Sequence, residues 1–273
     1  MSGDWIFLAV LWIATIAIVA VGVRPLSDHQ LVQWSLRFNV LLDESTKGRV
    51  SARLRRGRSI RWVSFAAGIN IGMLPMYMNV IDVERAAEYS NQLTAQAPFA
   101  IAAVGAVLAE LTMVSQPSGV RSADLVSRRW SDYVVRFWLV VIVWTLPISL
   151  IGAWFAASQE LSTRWVWAGP AASAFGILAA TVGVRVVVNR PARDAGTDAR
   201  RIDDALRADG AHHVVGAAVA VSGIAACSSV GNALGPSWWG FFPMLLSWVL
   251  VGNWYGIACN TRWNVDQARL QHA

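Results

Sequence analysis

Glu110 is the residue whose type and position most suggest chemistry. It is the one acidic side chain inside an apolar run of this sequence, Pro98 to Val114. It lies four residues before the end of that run, about 6 Å at the helical rise of ~1.5 Å per residue. A carboxylate inside a membrane marks a proton relay or a cation site, or pairs with a neighbouring base. Arg185 and Arg136 stand at similar depth in other apolar runs and are the expected partners. Asn70 and Asn253 are amides within further runs, and with Glu110 they form a candidate polar intramembrane site.

The run holding Asn70 is the least regular. It carries Gly68, Asn70, Gly72, Pro75 and Asn79, with Met73, Met76 and Met78 among them. Glycine and proline can break a membrane helix where protein or water satisfies the freed backbone groups, and broken helices form the substrate sites of many transporters. The same residues also serve as a close packing face with a proline kink. No cysteine or histidine accompanies the methionines, so no metal is expected.

Ala220-Val-Ser222-Gly223 resembles the Gly-x-Ser-Gly of rhomboid-type intramembrane serine proteases over three residues, with Ala220 in place of the first glycine. That resemblance implies a serine nucleophile, which needs an imidazole within hydrogen-bond reach. The later apolar runs contain no histidine, and His212 and His213 begin the same segment as Ser222. An intramembrane enzyme is thus the most remote of three functional readings, and no catalytic residue is assigned. The phosphate-binding Gly-x-x-x-x-Gly-Lys loop and the His-Glu-x-x-His zinc motif are missing from the sequence. Neither a cofactor nor a metal is implied. Cys227 and Cys259 have no zinc spacing, and the layout below sets them toward opposite faces, too far apart for a disulfide.

These residues are positioned by apolar runs. Of 273 residues 55% are hydrophobic and 15% are charged, against about 25% charged in soluble domains. The predicted fold class is therefore all-α: one polytopic membrane helix bundle spanning the whole chain. Seven crossings are expected, near 5–23, 62–81, 98–114, 134–156, 165–188, 212–231 and 238–259.

Charge orients them. With the N-terminus outside and the C-terminus inside, the inner segments and span ends collect nine, four, six and two Lys or Arg residues. That is 21 of 23, and only Arg85 and Arg164 fall outside. The opposite orientation violates the positive-inside rule. Trp5, Trp154, Trp165, Trp167, Trp238 and Trp239 would mark outer ends, and Trp62, Trp130 and Trp263 inner ones. A net charge of +6 distributed in this way is topological and does not predict a nucleic-acid partner. The single lysine, Lys47, against 22 arginines fits GC-rich coding and a bacterial plasma membrane.

The first inner segment, 24–61, is the richest in base and reads as a cytoplasmic loop. Its first part, 27–42, opens with Ser27 and Gln30 at capping-box spacing. Leu31, Trp34, Phe38 and Leu41 then recur at helical spacing, which predicts an amphipathic helix on the inner face. Arg49, Arg53, Arg55, Arg56, Arg58 and Arg61 form the expected surface for anionic lipid or a cytoplasmic partner such as an ATPase subunit. The segment 189–211 is expected to be a charged loop carrying a short surface helix, with Arg200–Asp204 and Asp203–Arg207 at i,i+4. The first functional expectation is a transporter or permease subunit of unstated substrate. The alternative is a non-catalytic accessory or assembly protein that binds anionic lipid or a partner.

Overall fold

The computed structural model describes residues 2–77, 83–114, 128–158, 166–190, 197–234, 241–260 and 262–263. Among these there is no β-strand. Eight α-helices follow one another: α1 (Ser2–Val23), α2 (Asp28–Phe38), α3 (Glu44–Tyr77), α4 (Val83–Val114), α5 (Arg136–Ser158), α6 (Ala168–Asn189), α7 (Thr197–Leu234) and α8 (Phe241–Tyr255). A short 3-10 turn, Trp130–Asp132, precedes α5, and a π-helical turn, Gly256–Asn260, extends α8. By length and apolar composition three helices can cross a membrane, namely α5, α6 and α7. A fourth is added if α1 and α2, which meet at 70°, count as one bent span.

Short α2 forms as its sequence requires. Ser27 Oγ accepts from the Gln30 backbone N–H at 3.3 Å, and Gln30 Oε1 accepts from the Ser27 N–H at 3.1 Å. This reciprocal capping box satisfies two donors the helix start would otherwise leave open. Leu31, Trp34 and Phe38 are the buried face. The helix stops earlier than the expected 42, because Asn39 takes a left-handed backbone (φ 52°). Leu41, assigned to that face by spacing, is therefore outside the helix and 94% exposed.

Two expectations about loops are corrected. Residues 44–61, read as a basic loop, are the first half of α3, continuous with the apolar run that follows. Arginine is a good helix former, and no proline falls between Glu44 and Met73. Likewise 197–211, read as part of a charged loop, is the first half of α7, a helix of 38 residues. Residues 83–97, which precede the apolar run beginning at Pro98, belong to the same helix α4. Met78 and Asn79 lie outside the described residues.

Helix α7 is the axis of the molecule. It packs against α4, α5, α6 and α8, and it is buried along most of its length from Ile202 to Cys227. Its Ala208, Ala211, Val215, Ala218 and Val219 join Ala180, Val184 and Val187 of α6, Ile142 of α5 and Trp34 and Phe38 of α2 in one core. Close approach is set by small residues. Gly169, Gly176 and Gly183 recur two helical turns apart on α6. A Cβ there would collide with Ser229, Ser222 and Val214 of α7 respectively. The α7 partners descend as the glycines ascend, so the two helices run antiparallel along one seam.

Candidate functional site

The residues expected to share one polar site do not meet. The Asn70 side chain donates to the Ala66 carbonyl at 2.9 Å and to Thr15 Oγ1 of α1 at 3.3 Å, tying α3 to α1. Asn253 donates to the Val249 carbonyl of its own helix at 3.1 Å. Glu110 is buried, with Oε2 at 2.9 Å from Arg190 Nη1.

The expected pairing of Glu110 with Arg185 or Arg136 is thus corrected to Arg190. Arg185 is exposed. Arg136 is also exposed, its guanidinium carbon 5.8 Å from the Trp130 ring centroid. Arg190 caps α6 in an extended conformation (ψ 131°), and its side chain reaches Glu110.

Around that pair lies a buried ionic layer, which forms one end of the bundle. Arg190 Nη2 reaches Asp203 Oδ1 at 3.2 Å. Arg207 grips Asp203 Oδ2 through Nε (2.9 Å) and Nη2 (2.7 Å). Its Nη1 donates to the carbonyls of Val187 and Val188, at 3.0 and 3.1 Å, so one guanidinium also closes the end of α6. Arg53 of α3 approaches Asp203 at 3.6 Å. Asp204 accepts from Tyr133 Oη at 2.9 Å and lies 3.9 Å from Arg128. Asp209 is faced by Arg37 at 3.7 Å, His213 at 3.8 Å and Arg61 at 4.0 Å.

Six arginines and four carboxylates from α2, α3, α4, α6, α7 and the segment before α5 are thereby joined. Charges this deeply buried gain little net stability over apolar packing, but they penalise any arrangement that separates them. Of these ten residues only Glu110 stood out as buried chemistry by sequence. The Asp203–Arg207 spacing was visible, but it reads equally as a surface pair.

The six arginines of α3 serve different purposes, because 100° per residue distributes them around the helix. Arg53 and Arg61 turn inward to Asp203 and Asp209. Arg55 donates to the Val23 carbonyl at 3.3 Å. Arg49 and Arg56 are exposed. Arg58 donates to the carbonyls of Gly22 (3.3 Å) and Arg24.

Beside the ionic layer a cavity of 980 Å³ opens between α2, α3, α4, α7 and α8. Its charged part holds Arg37, Arg58, Arg61 and Arg262, with Asp209 as the one carboxylate among the described lining residues. Its apolar part is lined by Trp62, Phe65, Ala102, Ala106, Ala217 and Trp254. Phe65, Phe99 and Trp254 close that end as a mutual aromatic cluster, with centroids 5.4–5.7 Å apart. From Asp209 to Ala217 along α7 the cavity extends about 12 Å, at ~1.5 Å per residue. The indole N–H of Trp34, a lining residue 8% exposed, has no hydrogen-bond partner. Burial pulls the Arg37 guanidinium below its ordinary value, and Asp209 opposes that shift.

Other candidates are placed as follows. The Ser222 hydroxyl is buried against Gly176, and among the described residues it has no hydrogen-bond partner, imidazole included. Cys227 and Cys259 are free thiols. Among the described residues no group of three or more His, Cys, Asp or Glu could hold a metal. Comparison with known protein families, with characterised proteins and with solved structures gave no match.

Proposed function

We propose that the chain is a seven-crossing protein of the bacterial plasma membrane, its N-terminus outside and C-terminus inside, acting as a non-catalytic accessory or assembly protein that engages anionic lipid at its inner face. One observation carries this reading: among the described residues, the cavity beside the ionic layer gathers four arginines against one carboxylate and continues into an aromatic, apolar recess. In the proposed orientation the ionic layer sits at the inner interface, where anionic headgroups concentrate. The charge layout supports that orientation, since 21 of 23 basic residues then fall inside.

A transporter or permease subunit has less support. It would draw on Asn70, Glu110 and Asn253 lining one cavity, and each of the three is engaged elsewhere.

The test is purification in mild detergent, with the retained lipid compared with the lipid extracted from the same membranes. Enrichment of anionic headgroups is expected. Retained lipid matching the bulk extract would overturn the reading, and co-purification of a stoichiometric ATPase subunit would move it to a transport complex.

A further inference from the structure

We infer that the cavity holds one anionic lipid as a discrete ligand, its phosphate against Arg58 and Arg61 and an acyl chain lying along Phe65, Ala106 and Trp254. This rests on the reading above and adds to it an internal site, as opposed to lipid held on the outer surface.

Three observations converge. The first is charge. Arg58 is held in position by the carbonyls of Gly22 and Arg24, which orient the guanidinium but do not cancel its charge. Arg61 has Asp209 at 4.0 Å, beyond a close charge-assisted contact, and Asp209 is shared with Arg37. The lining thus carries a surplus of positive charge, and phosphate is the complementary partner that a membrane supplies.

The second is polarity along the cavity. Arg58, Arg61, Trp62 and Phe65 are successive lining residues of α3, so the wall passes from cation to aromatic ring within about two helical turns. A free anion would leave the aromatic part uncovered, and a plain hydrocarbon would leave the surplus of positive charge unbalanced. An amphiphile satisfies both parts. The third is size: 980 Å³ is at the upper end of small-ligand sites, which run to about 1,000 Å³.

The inference is tested by native mass spectrometry of the full chain in detergent. It is titrated with dioleoylphosphatidylglycerol, with dioleoylphosphatidylcholine, or with inorganic phosphate. The wild type should bind one phosphatidylglycerol at about tenfold lower concentration than phosphatidylcholine and retain no phosphate. Arg58→Gln combined with Arg61→Gln removes the head contacts, and Ala106→Phe fills the apolar part. Each should weaken phosphatidylglycerol about tenfold or more. Arg185→Gln alters an exposed arginine of α6 outside the cavity and should leave binding unchanged.

If the wild type prefers phosphatidylglycerol and the Arg58/Arg61 variant binds it equally well, the lipid lies on the outer surface. The internal site then fails while the broader reading stands. If the wild type shows no headgroup preference, the broader reading fails with it. Phosphate bound as tightly as the lipid would show that the recess contributes nothing and would overturn the inference. Should Ala106→Phe fail to fold, the arginine variant decides alone.

Discussion

Arg190 answers Glu110 at 2.9 Å, and the two are 2% and 3% exposed, so neither charge can be left to water when the other is removed. Removing one partner of a buried pair typically costs about 3–5 kcal/mol, whereas replacing both by apolar residues of similar volume is often neutral or stabilising. Arg190→Met should therefore lower stability by about that amount, and Glu110→Leu with Arg190→Met together should return close to the wild type. Asp203 does not lose its charge partner in either variant, because Arg207 still grips it twice. Denaturant unfolding in detergent measures both. A single variant within about 1 kcal/mol of wild type would mean that Glu110 has a second, sufficient partner.

At the scale of the element, two glycines in the charged helices should respond to the same substitution with opposite sign. Gly48 of α3 has open space where a Cβ would stand, so Gly48→Ala should stabilise by about 0.5–1 kcal/mol through backbone entropy alone. At Gly210 of α7 an added Cβ would come within 2.9 Å of Glu110 Oε2 and closer still to the rest of that carboxylate. Gly210→Ala should therefore destabilise despite its better helix propensity, by disturbing the Glu110–Arg190 geometry. The same unfolding measurement decides, and a gain at Gly210 would show that the carboxylate has room to shift.

These elements also mark what the sequence made legible. The apolar runs of α5 and α6 declare themselves by hydropathy, because each is long and almost uncharged. Ser27 and Gln30 announce α2, because a capping box is a local device. The charged halves of α3 and α7 read as loops, since a charge run normally marks water and hydropathy has no knowledge of partners on other helices. Arg190 was unreadable for a related reason: it lies past the end of its helix, where only the fold decides which way its side chain turns. The cavity draws one wall each from five helices, and no spacing within any one of them encodes it.

On the scale of the whole molecule, the ionic layer makes a soluble-looking segment part of the core. Helix α7 begins exposed at Asp198, Arg200 and Arg201 and becomes buried from Ile202 onward, although Asp203, Asp204, Arg207 and Asp209 follow. Its charged half is enclosed by α2, α3, α4 and α6, while α1 packs mainly on α3 and leaves Ile6, Val10, Ile13 and Ile16 exposed on its outer face. Local stability should follow this enclosure and not hydropathy, because amide exchange reports how much packing must open before water reaches the backbone. Hydrogen–deuterium exchange of the full chain in detergent should find 203–222 the slowest stretch. The change in rate should fall near Arg201, thirteen residues before the uncharged part of α7 begins at Val214. A surface helix would behave otherwise: 203–211 would exchange as fast as α2, and slow exchange would start only near Val214. That result would mean that the charges of α7 are solvated and that the layer joining α3, α4, α6 and α7 does not persist in solution.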